Sequence, residues 1–231
     1  MNRGVFSRSS VLLLLVAVFV AFCTTDIYAQ KFVKHKNNKY SDVKVWWEVR
    51  YPDGSVGLSV NDKKNIVVDG GRGYSSVEYI YLHGRFKVTK GNYQGVVDAE
   101  GREIISPVKF SSVKDKYEYT YPEPYKYYEV GVGGSSYSPE KVGICNYAGS
   151  EMLPCEFNYI ITYKEQCRDT DFFYHYVSKS QQGEPFVGLY DTAGRNIFPM
   201  SKYSYVSPYL KTKSAKKSHL SENNAFLCES A

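Results

Sequence analysis

The chain has 231 residues, a formal net charge of +5 and 23 tyrosines. This length is enough for one domain with a substantial hydrophobic core. The small positive excess lies mainly at the two ends, in residues 31–44 and 211–217. A nucleic-acid-binding protein normally carries its basic residues as a patch on the folded surface, so the charge pattern argues against that class.

The first predicted element is a secretory signal peptide at residues 1–29. Two arginines stand at its start, and an apolar run of 12 residues follows at 11–22. Such a run is too short to cross a bilayer, which takes about 20 residues. Ala29 supplies the small residue at the expected cleavage site. The mature chain is therefore predicted to be exported, with no transmembrane span.

Cys23 follows the apolar run and raises the alternative of a lipoprotein. Lipoprotein signals place a small residue before the modified cysteine, and this chain has Phe22 there. Cleavage near Ala29, giving a soluble exported protein, is therefore the favoured interpretation.

Residues 30–56 are predicted to form one or more N-terminal strands that cap the following elements. They contain the pair Trp46 and Trp47. Neighbours on a strand point to opposite faces, so one tryptophan should join the core and the other should be exposed or covered by the N-terminal segment. Both are also candidate binding residues.

One short phrase occurs four times between residues 57 and 206, starting near Gly57, Gly95, Gly143 and Gly188. The starting glycines are 38, 48 and 45 residues apart. Each copy has an apolar pair, a short polar turn and a second apolar pair. Self-similarity at such a period is typical of a repeat architecture.

The polar turn in each copy opens with Asp or Asn and has Gly three residues later, except in the first copy, where Lys63 stands at the glycine position. An Asx side chain caps its own backbone, and Gly adopts the positive φ that closes the turn. Recurring carboxylates can also bind calcium, but the third copy has Asn and the first has Val60, so turn capping is the better interpretation. The predicted structural turn residues are Asp98, Gly101, Asn146, Gly149, Asp191 and Gly194.

A proline and then an aromatic residue follow the second apolar pair in the last three copies. Because proline cannot donate to a strand ladder, Pro107, Pro154 and Pro199 are expected to end the second strand of each hairpin. An alternating segment before most hairpins adds a further strand, giving about three strands per repeat. The predicted fold is all-β, and residues 207–231 are a polar, basic tail without the repeat pattern.

The phrase Gly–apolar–apolar–Asp/Asn–x–x–Gly–x–x–apolar–apolar–Pro–x–x–aromatic resembles the WG repeat of bacterial proteins. The resemblance covers about residues 57–206. The tryptophan that gives the repeat its name is replaced in all four copies, by Val56, Gln94, Val142 and Val187. The family implies no settled activity, catalytic residue or cofactor. An exported chain with such repeats and tyrosine-rich spacers is similar to proteins of Gram-negative bacteria, which implies the periplasm or the cell surface.

The spacer at residues 116–130 is the segment richest in tyrosine. Alternation places its first three tyrosines on one strand face and the next two together after a Pro-Glu-Pro reversal. Exposed tyrosines can stack on sugars or peptide groups, whereas buried ones cover a thin β core by cross-strand packing. The candidate binding tyrosines are Tyr117, Tyr119, Tyr121, Tyr125 and Tyr127.

Cysteine chemistry stays open in the sequence. Export permits a disulfide involving the nearby Cys145, Cys155 and Cys167, and buried free thiols are the alternative. No C-x-x-C occurs and the four histidines are scattered, so no metal site is predicted. No nucleophile elbow or recognisable triad setting indicates an enzyme, and no cofactor is expected.

The sequence thus predicts an exported, non-catalytic repeat protein whose partner is a protein or a glycan of the bacterial envelope. An open, solenoid-like or curved array of sheets is preferred, with a small barrel or a propeller-like closure as alternatives. Two other functions remain open: a carbohydrate-binding module that uses the tyrosines, and an oligomeric structural protein that assembles through its sheet edges.

Overall fold

The computed structural model describes residues 30–80, 84–119, 124–167, 170–201, 203–209 and 225–230. The predicted signal peptide, its Cys23 alternative and Tyr121 lie outside these residues. The all-β prediction is confirmed, because the described residues form strands and contain no helix except one 3-10 turn at Gly70–Arg72.

Sixteen of the strands form four antiparallel sheets of four strands each, and every sheet keeps the order of the chain. The first sheet is β1 (Lys31–Lys36), β2 (Val45–Arg50), β3 (Val56–Val60) and β4 (Ile66–Val68). The second is β5 (Ser76–Ile80), β6 (Arg85–Lys90), β7 (Tyr93–Asp98) and β8 (Glu103–Phe110). The third is β9 (Ser112–Glu118), β10 (Tyr125–Val132), β11 (Lys141–Asn146) and β12 (Glu151–Phe157). The fourth is β13 (Tyr159–Cys167), β14 (Thr170–Gln181), β15 (Glu184–Asp191) and β16 (Asn196–Ser201).

A separate two-stranded hairpin joins β17 (Tyr203–Tyr209) to β18 (Ala225–Ser230). The end of the predicted polar tail therefore contains a paired strand, which its composition did not indicate. None of the four sheets closes into a barrel, so the structure gives no support to the barrel alternative.

The expectation that proline ends a strand was wrong at all three positions. Pro107, Pro154 and Pro199 lie inside β8, β12 and β16. Each of these strands is the last of its sheet in the strand order, and an edge strand tolerates a residue that cannot donate. Shifts in register between β11 and β12, and between β15 and β16, let the strand continue past the proline.

The chain divides into two compact units. One contains residues up to Gly91 together with Val97–Glu103, and the other contains Asn92–Val96 and everything from Ile104 onward. The core of the first unit includes Trp46, Leu58 and Phe86. The second unit has one core cluster around Tyr127, Ile144 and Phe157, and another around Tyr174, Tyr176 and Leu189.

The glycine that starts each of the first three repeat phrases is required by a close approach of the next strand. A Cβ added at Gly95 would lie 2.4 Å from the carbonyl oxygen of Ile105, and one at Gly143 would lie 2.5 Å from that of Leu153. Gly57 shows the same approach, with the carbonyl oxygen of Val68 at 2.4 Å. Any side chain would push these paired strands apart.

Candidate functional site

The predicted turn residues occupy three turns with the same hydrogen bonds. In the turn after β11, the side-chain Oδ1 of Asn146 accepts the backbone N–H groups of Ala148 and Ser150, at 3.0 and 2.9 Å. Asp98 accepts hydrogen bonds from the backbone N–H groups two and four residues later, at 3.0 and 2.8 Å. Asp191 does the same, at 2.9 and 2.8 Å. The side chains therefore cap the backbone, as an Asx turn requires.

The two aspartates differ from Asn146 by a further bond to an arginine. Arg102 donates to Asp98 at 2.6 Å, and Arg195 donates to Asp191 at 2.7 Å. Burial opposes ionisation of Asp98, but the backbone N–H and the guanidinium of Arg102 outweigh it and lower the pKa of this carboxyl. The pKa of Asp191 is lowered in the same way by Arg195.

The turn glycines have positive φ and also contact an earlier strand. Gly101, Gly149 and Gly194 have φ of +81°, +91° and +76°. A Cβ at Gly149 would lie 1.9 Å from the carbonyl oxygen of Ile104, and one at Gly194 would lie 2.6 Å from that of Met152. The turn glycine is thus needed for its conformation and for the space that it leaves.

The first repeat makes its turn differently. Asp62 accepts the backbone N–H of Lys64 at 2.9 Å, and the N–H of Asn65 donates to the carbonyl of Asp62 at 2.9 Å. The capping residue of this turn therefore stands two residues further along the phrase than in the later repeats. Asn61 adopts the positive φ, at +62°.

The two adjacent tryptophans lie on opposite faces of β2. Trp46 is 5% exposed and packs edge-on against Phe86, with the ring centroids 5.4 Å apart. Trp47 is half-buried, and the Nζ of Lys34 lies 5.5 Å from its ring centroid. Trp46 is therefore part of the core and cannot meet a ligand directly, whereas Trp47 is partly accessible.

The four described candidate tyrosines of the spacer do not share one face. Lys126 pairs with Tyr117 across β9 and β10, and Tyr125 pairs with Glu118, so Tyr117 lies on one face and Tyr125 on the other. Tyr127 shares the face of Tyr125, where the two rings stack at 5.0 Å. The structure therefore divides the proposed platform into two pairs. We call Tyr125 and Tyr127 the buried pair, although Tyr125 is only half-buried, and Tyr117 and Tyr119 the exposed pair, in which Tyr117 is half-buried.

The buried pair belongs to a hydrogen-bonded chain between the third and fourth sheets. The hydroxyl of Tyr125 is 2.9 Å from Nε2 of His175, and Nδ1 of His175 is 2.9 Å from the hydroxyl of Thr162. That hydroxyl is in turn 2.6 Å from the hydroxyl of Tyr127. Donation in one direction, from Tyr125 through His175 and Thr162 to Tyr127, makes all three bonds, so each of these polar atoms has a hydrogen-bond partner.

Burial determines the protonation states of the side chains in this hydrogen-bonded chain. It lowers the pKa of His175, which is 1% exposed, to about 4, although the charge of Asp191 acts in the opposite direction. Burial also raises the pKa of Tyr125 above its ordinary value and that of Tyr127 to about 12. At neutral pH all of these groups are uncharged, and their hydrogen bonds join the third and fourth sheets.

The exposed pair belongs to what we call the aromatic–lysine surface, formed by Tyr117, Tyr119, Lys126, Tyr128 and Tyr147. The rings of Tyr117 and Tyr119 meet edge to face, with centroids 4.7 Å apart. The Nζ of Lys126 lies between two rings, 5.9 Å from the centroid of Tyr117 and 5.4 Å from that of Tyr147. The ring of Tyr128 stacks on that of Tyr147, with the centroids 5.4 Å apart.

Exposure across this surface increases toward Tyr119. Tyr128 is fully buried, Tyr117, Lys126 and Tyr147 are half-buried, and Tyr119 is 74% exposed. A second cation is close by, because the Nζ of Lys164 donates to the carbonyl oxygen of Tyr119 at 3.0 Å. Sequence reasoning missed both lysines. Pairing the two strands across the Pro-Glu-Pro reversal would have placed Lys126 opposite Tyr117.

Cys145 and Cys155 are free thiols in the structure, which agrees with the alternative of buried free thiols for these two residues. Burial raises the pKa of Cys145 to about 12 and that of Cys155 to about 11, and the Glu151 carboxylate raises both further. Thiols with such pKa values are poor nucleophiles at neutral pH. The side chain of Cys167 lies outside the described part of the chain.

Within the described residues, no three His, Cys, Asp or Glu side chains come together in a way that could hold a metal ion. No helix in that part of the chain has the length and apolar character needed to cross a membrane. A shallow open depression at the tip of the β14–β15 hairpin is lined by Gln181, Gln182, Glu184 and Phe186.

No protein-family model matches the chain, and no curated protein or solved structure matches it either.

Proposed function

We propose that the chain is an exported, non-catalytic repeat protein that acts as a binding scaffold for a protein or a ligand in the envelope of a Gram-negative bacterium. The observation that carries the proposal is the aromatic–lysine surface. Tyr119 exposes most of its ring and meets the ring of Tyr117, which has Lys126 beside it, and exposed aromatic side chains grouped in this way are typical of binding sites.

The assignment to WG-type repeats is part of the same proposal. It is supported by the three turns with common hydrogen bonds and by the turn glycines that lie against an earlier strand. These contacts recur in each of the last three repeats, as expected when each repeat packs on its neighbour in a solenoid-like or curved array.

A site-specific photocrosslink tests the binding role. Benzoylphenylalanine would replace Tyr119 in the full chain, expressed with its own leader in a Gram-negative host, and would react with C–H bonds of either protein or glycan. Tyr137 is the matched control position, because it is 92% exposed and lies beyond the opposite end of β10. We expect a discrete adduct from position 119 and none from position 137. Equal labelling at the two positions, or none at either, would contradict the proposal.

A carbohydrate-binding module is the second candidate, and the contact between Tyr117 and Tyr119 favours it. Two rings at an interplanar angle of 78° form a corner that can hold the apolar face of a sugar against one ring and its edge against the other. Tyr119 is exposed and Tyr117 is half-buried. Tyr125 and Tyr127 are committed to packing between sheets.

A further inference from the structure

We infer that the aromatic–lysine surface binds a sugar that carries an anionic substituent, such as a carboxylate or a sulfate. The inference rests on the proposed binding function and specifies its ligand class. It depends on which charged groups accompany the exposed rings and which do not.

The two described carboxylates of the spacer, Glu118 and Glu129, lie away from the exposed rings. Glu118 pairs with Tyr125 and so shares the face that packs against the fourth sheet. Glu129 lies on that same face and forms ion pairs with Lys114 and Lys116, at 3.2 and 3.5 Å. Neither carboxylate is placed to accept hydrogen bonds from a neutral sugar stacked on Tyr117 or Tyr119.

The charged group beside the rings is the ammonium of Lys126. Lys126 makes ring contacts with Tyr117 and Tyr147, and it forms no ion pair with any carboxylate in the described residues. Asp115 shares this face, but it is the cross-strand partner of Tyr128 and is partly buried. Lys164 adds a second positive charge next to Tyr119.

The geometry therefore combines an apolar wall with a positive charge at its edge. A sugar ring stacked on Tyr119 or Tyr117 would bring an equatorial substituent toward Lys126, and a negative substituent would gain a charge-assisted hydrogen bond there. A neutral sugar would gain only the stacking. An acidic peptide would gain the charge contact without a flat apolar face to place on the rings.

Isothermal titration calorimetry on the mature chain, at pH 7 and low salt, tests the inference. The probes are galacturonate trisaccharide, sulfated galactose trisaccharide, neutral galactose trisaccharide and an oligoglutamate peptide. We expect one of the two anionic sugars to bind about tenfold more tightly than the neutral sugar, and the two anionic probes show which substituent is preferred. The peptide should bind no better than the neutral sugar.

Three variants connect the binding to this surface. Lys126→Met keeps the aliphatic stem and should reduce the affinity for the anionic sugar to that for the neutral sugar, while Lys126→Arg should retain it. Tyr119→Ala should weaken binding of both sugars about tenfold. Tyr137→Ala is the control and should change nothing. Thermal unfolding of each variant establishes that it is folded.

Several results would overturn the inference: equal affinity for charged and neutral sugars, no binding of any sugar, an unchanged affinity in Lys126→Met, or equal binding of oligoglutamate. None of them decides the broader proposal, because the crosslink at position 119 reports any partner. An adduct at Tyr119 without sugar binding would keep the scaffold and discard the acidic sugar.

Discussion

The turn glycines show how a single position can be constrained twice. A left-handed backbone costs a non-glycine residue about 1–2 kcal/mol in any environment. At Gly149 a Cβ would also collide with the carbonyl oxygen of Ile104, at 1.9 Å. Backbone carbonyls in a paired strand cannot move aside without breaking ladder bonds, so the second cost adds to the first.

We predict that Gly149→Ala destabilises the protein much more than Gly183→Ala. Gly183 has a similar φ of +85° but no heavy atom within 4 Å of an added Cβ, so it isolates the cost of the backbone conformation. We expect a loss of about 1 kcal/mol at Gly183 and about 3 kcal/mol at Gly149, because overpacking adds to the backbone cost. Urea unfolding of both variants measures the difference. Equal losses would mean that the contact with Ile104 does not constrain the turn.

His175 gives a prediction for pH. Its pKa is about 4 in the folded protein, below the ordinary value of 6.5, because burial disfavours the charged ring. Between pH 6.5 and 4 the unfolded chain binds a proton at His175 that the folded chain does not. Stability should therefore fall as the pH is lowered through this range, by up to about 3 kcal/mol from this residue.

The matched variant is His175→Gln, which can still form hydrogen bonds but cannot take up a proton. Its free energy of unfolding, followed by urea titration from pH 7 to pH 4, should have a shallower slope than that of the wild type. The lowered pKa values of Asp98 and Asp191 affect stability only at more acidic pH, below about 4. Identical slopes for the two proteins would contradict the burial of a neutral His175.

At the scale of the element, the repeated turn is defined by one side-chain oxygen that accepts two backbone N–H groups. Asn146 does this without a charge, so the carboxylate is not needed for the turn itself. The arginine contact of Asp98 and Asp191 is an addition to the same geometry. This explains how Asp and Asn can exchange between copies.

The turn at Asp98 provides a test of that reasoning. We expect Asp98→Ala to cost about 1–3 kcal/mol, because the N–H groups of Glu100 and Arg102 lose their acceptor. Asp98→Asn keeps the acceptor and should cost much less. Thermal unfolding of the two variants measures the effects. A loss as large for Asn as for Ala would show that the ion pair with Arg102, and not backbone capping, stabilises the turn.

The strands show which local rules were sufficient. The turn signals located the hairpins, and the alternation of Tyr117, Tyr125 and Tyr127 was read correctly as strand. The proline rule failed because it was applied without knowing that Pro107, Pro154 and Pro199 lie on edge strands. An edge position is a property of the sheet, so the sequence of one strand does not reveal it.

The same limit applies to the candidate site. Alternation indicates which tyrosines share a face, but not which face meets another sheet. Tyr125 and Tyr127 are buried because His175 and Thr162 lie opposite them on strands far along the chain. Lys126 was overlooked because its importance comes from cross-strand pairing with Tyr117.

At the scale of the whole molecule, the sequence predicted the all-β class but not four strands in each sheet. The extra strand arises where the chain passes the aromatic residue after the proline and begins the next sheet, as at Ser112 and Tyr159. In the second and third copies the phrase therefore occupies the last two strands of one sheet, and the next sheet begins just after it. A repeat defined by sequence and a sheet defined by hydrogen bonds need not have the same ends.

The envelope assignment depends on export of the protein, which can be tested by the mass of the mature chain. Intact mass of the protein recovered from the periplasm or cell surface should correspond to a chain that starts at Gln30, after loss of residues 1–29. A chain that starts at Cys23 with the added mass of a lipid would instead indicate a lipoprotein, tethering the binding surface to a membrane.

Replacing the apolar Leu13 and Leu14 with charged residues should leave the full chain in the cytoplasm, since the apolar run is what the export machinery recognises. Unprocessed full-length protein outside the cytoplasm would contradict the prediction of a cleaved leader, and the scaffold would then have to act with its apolar start attached.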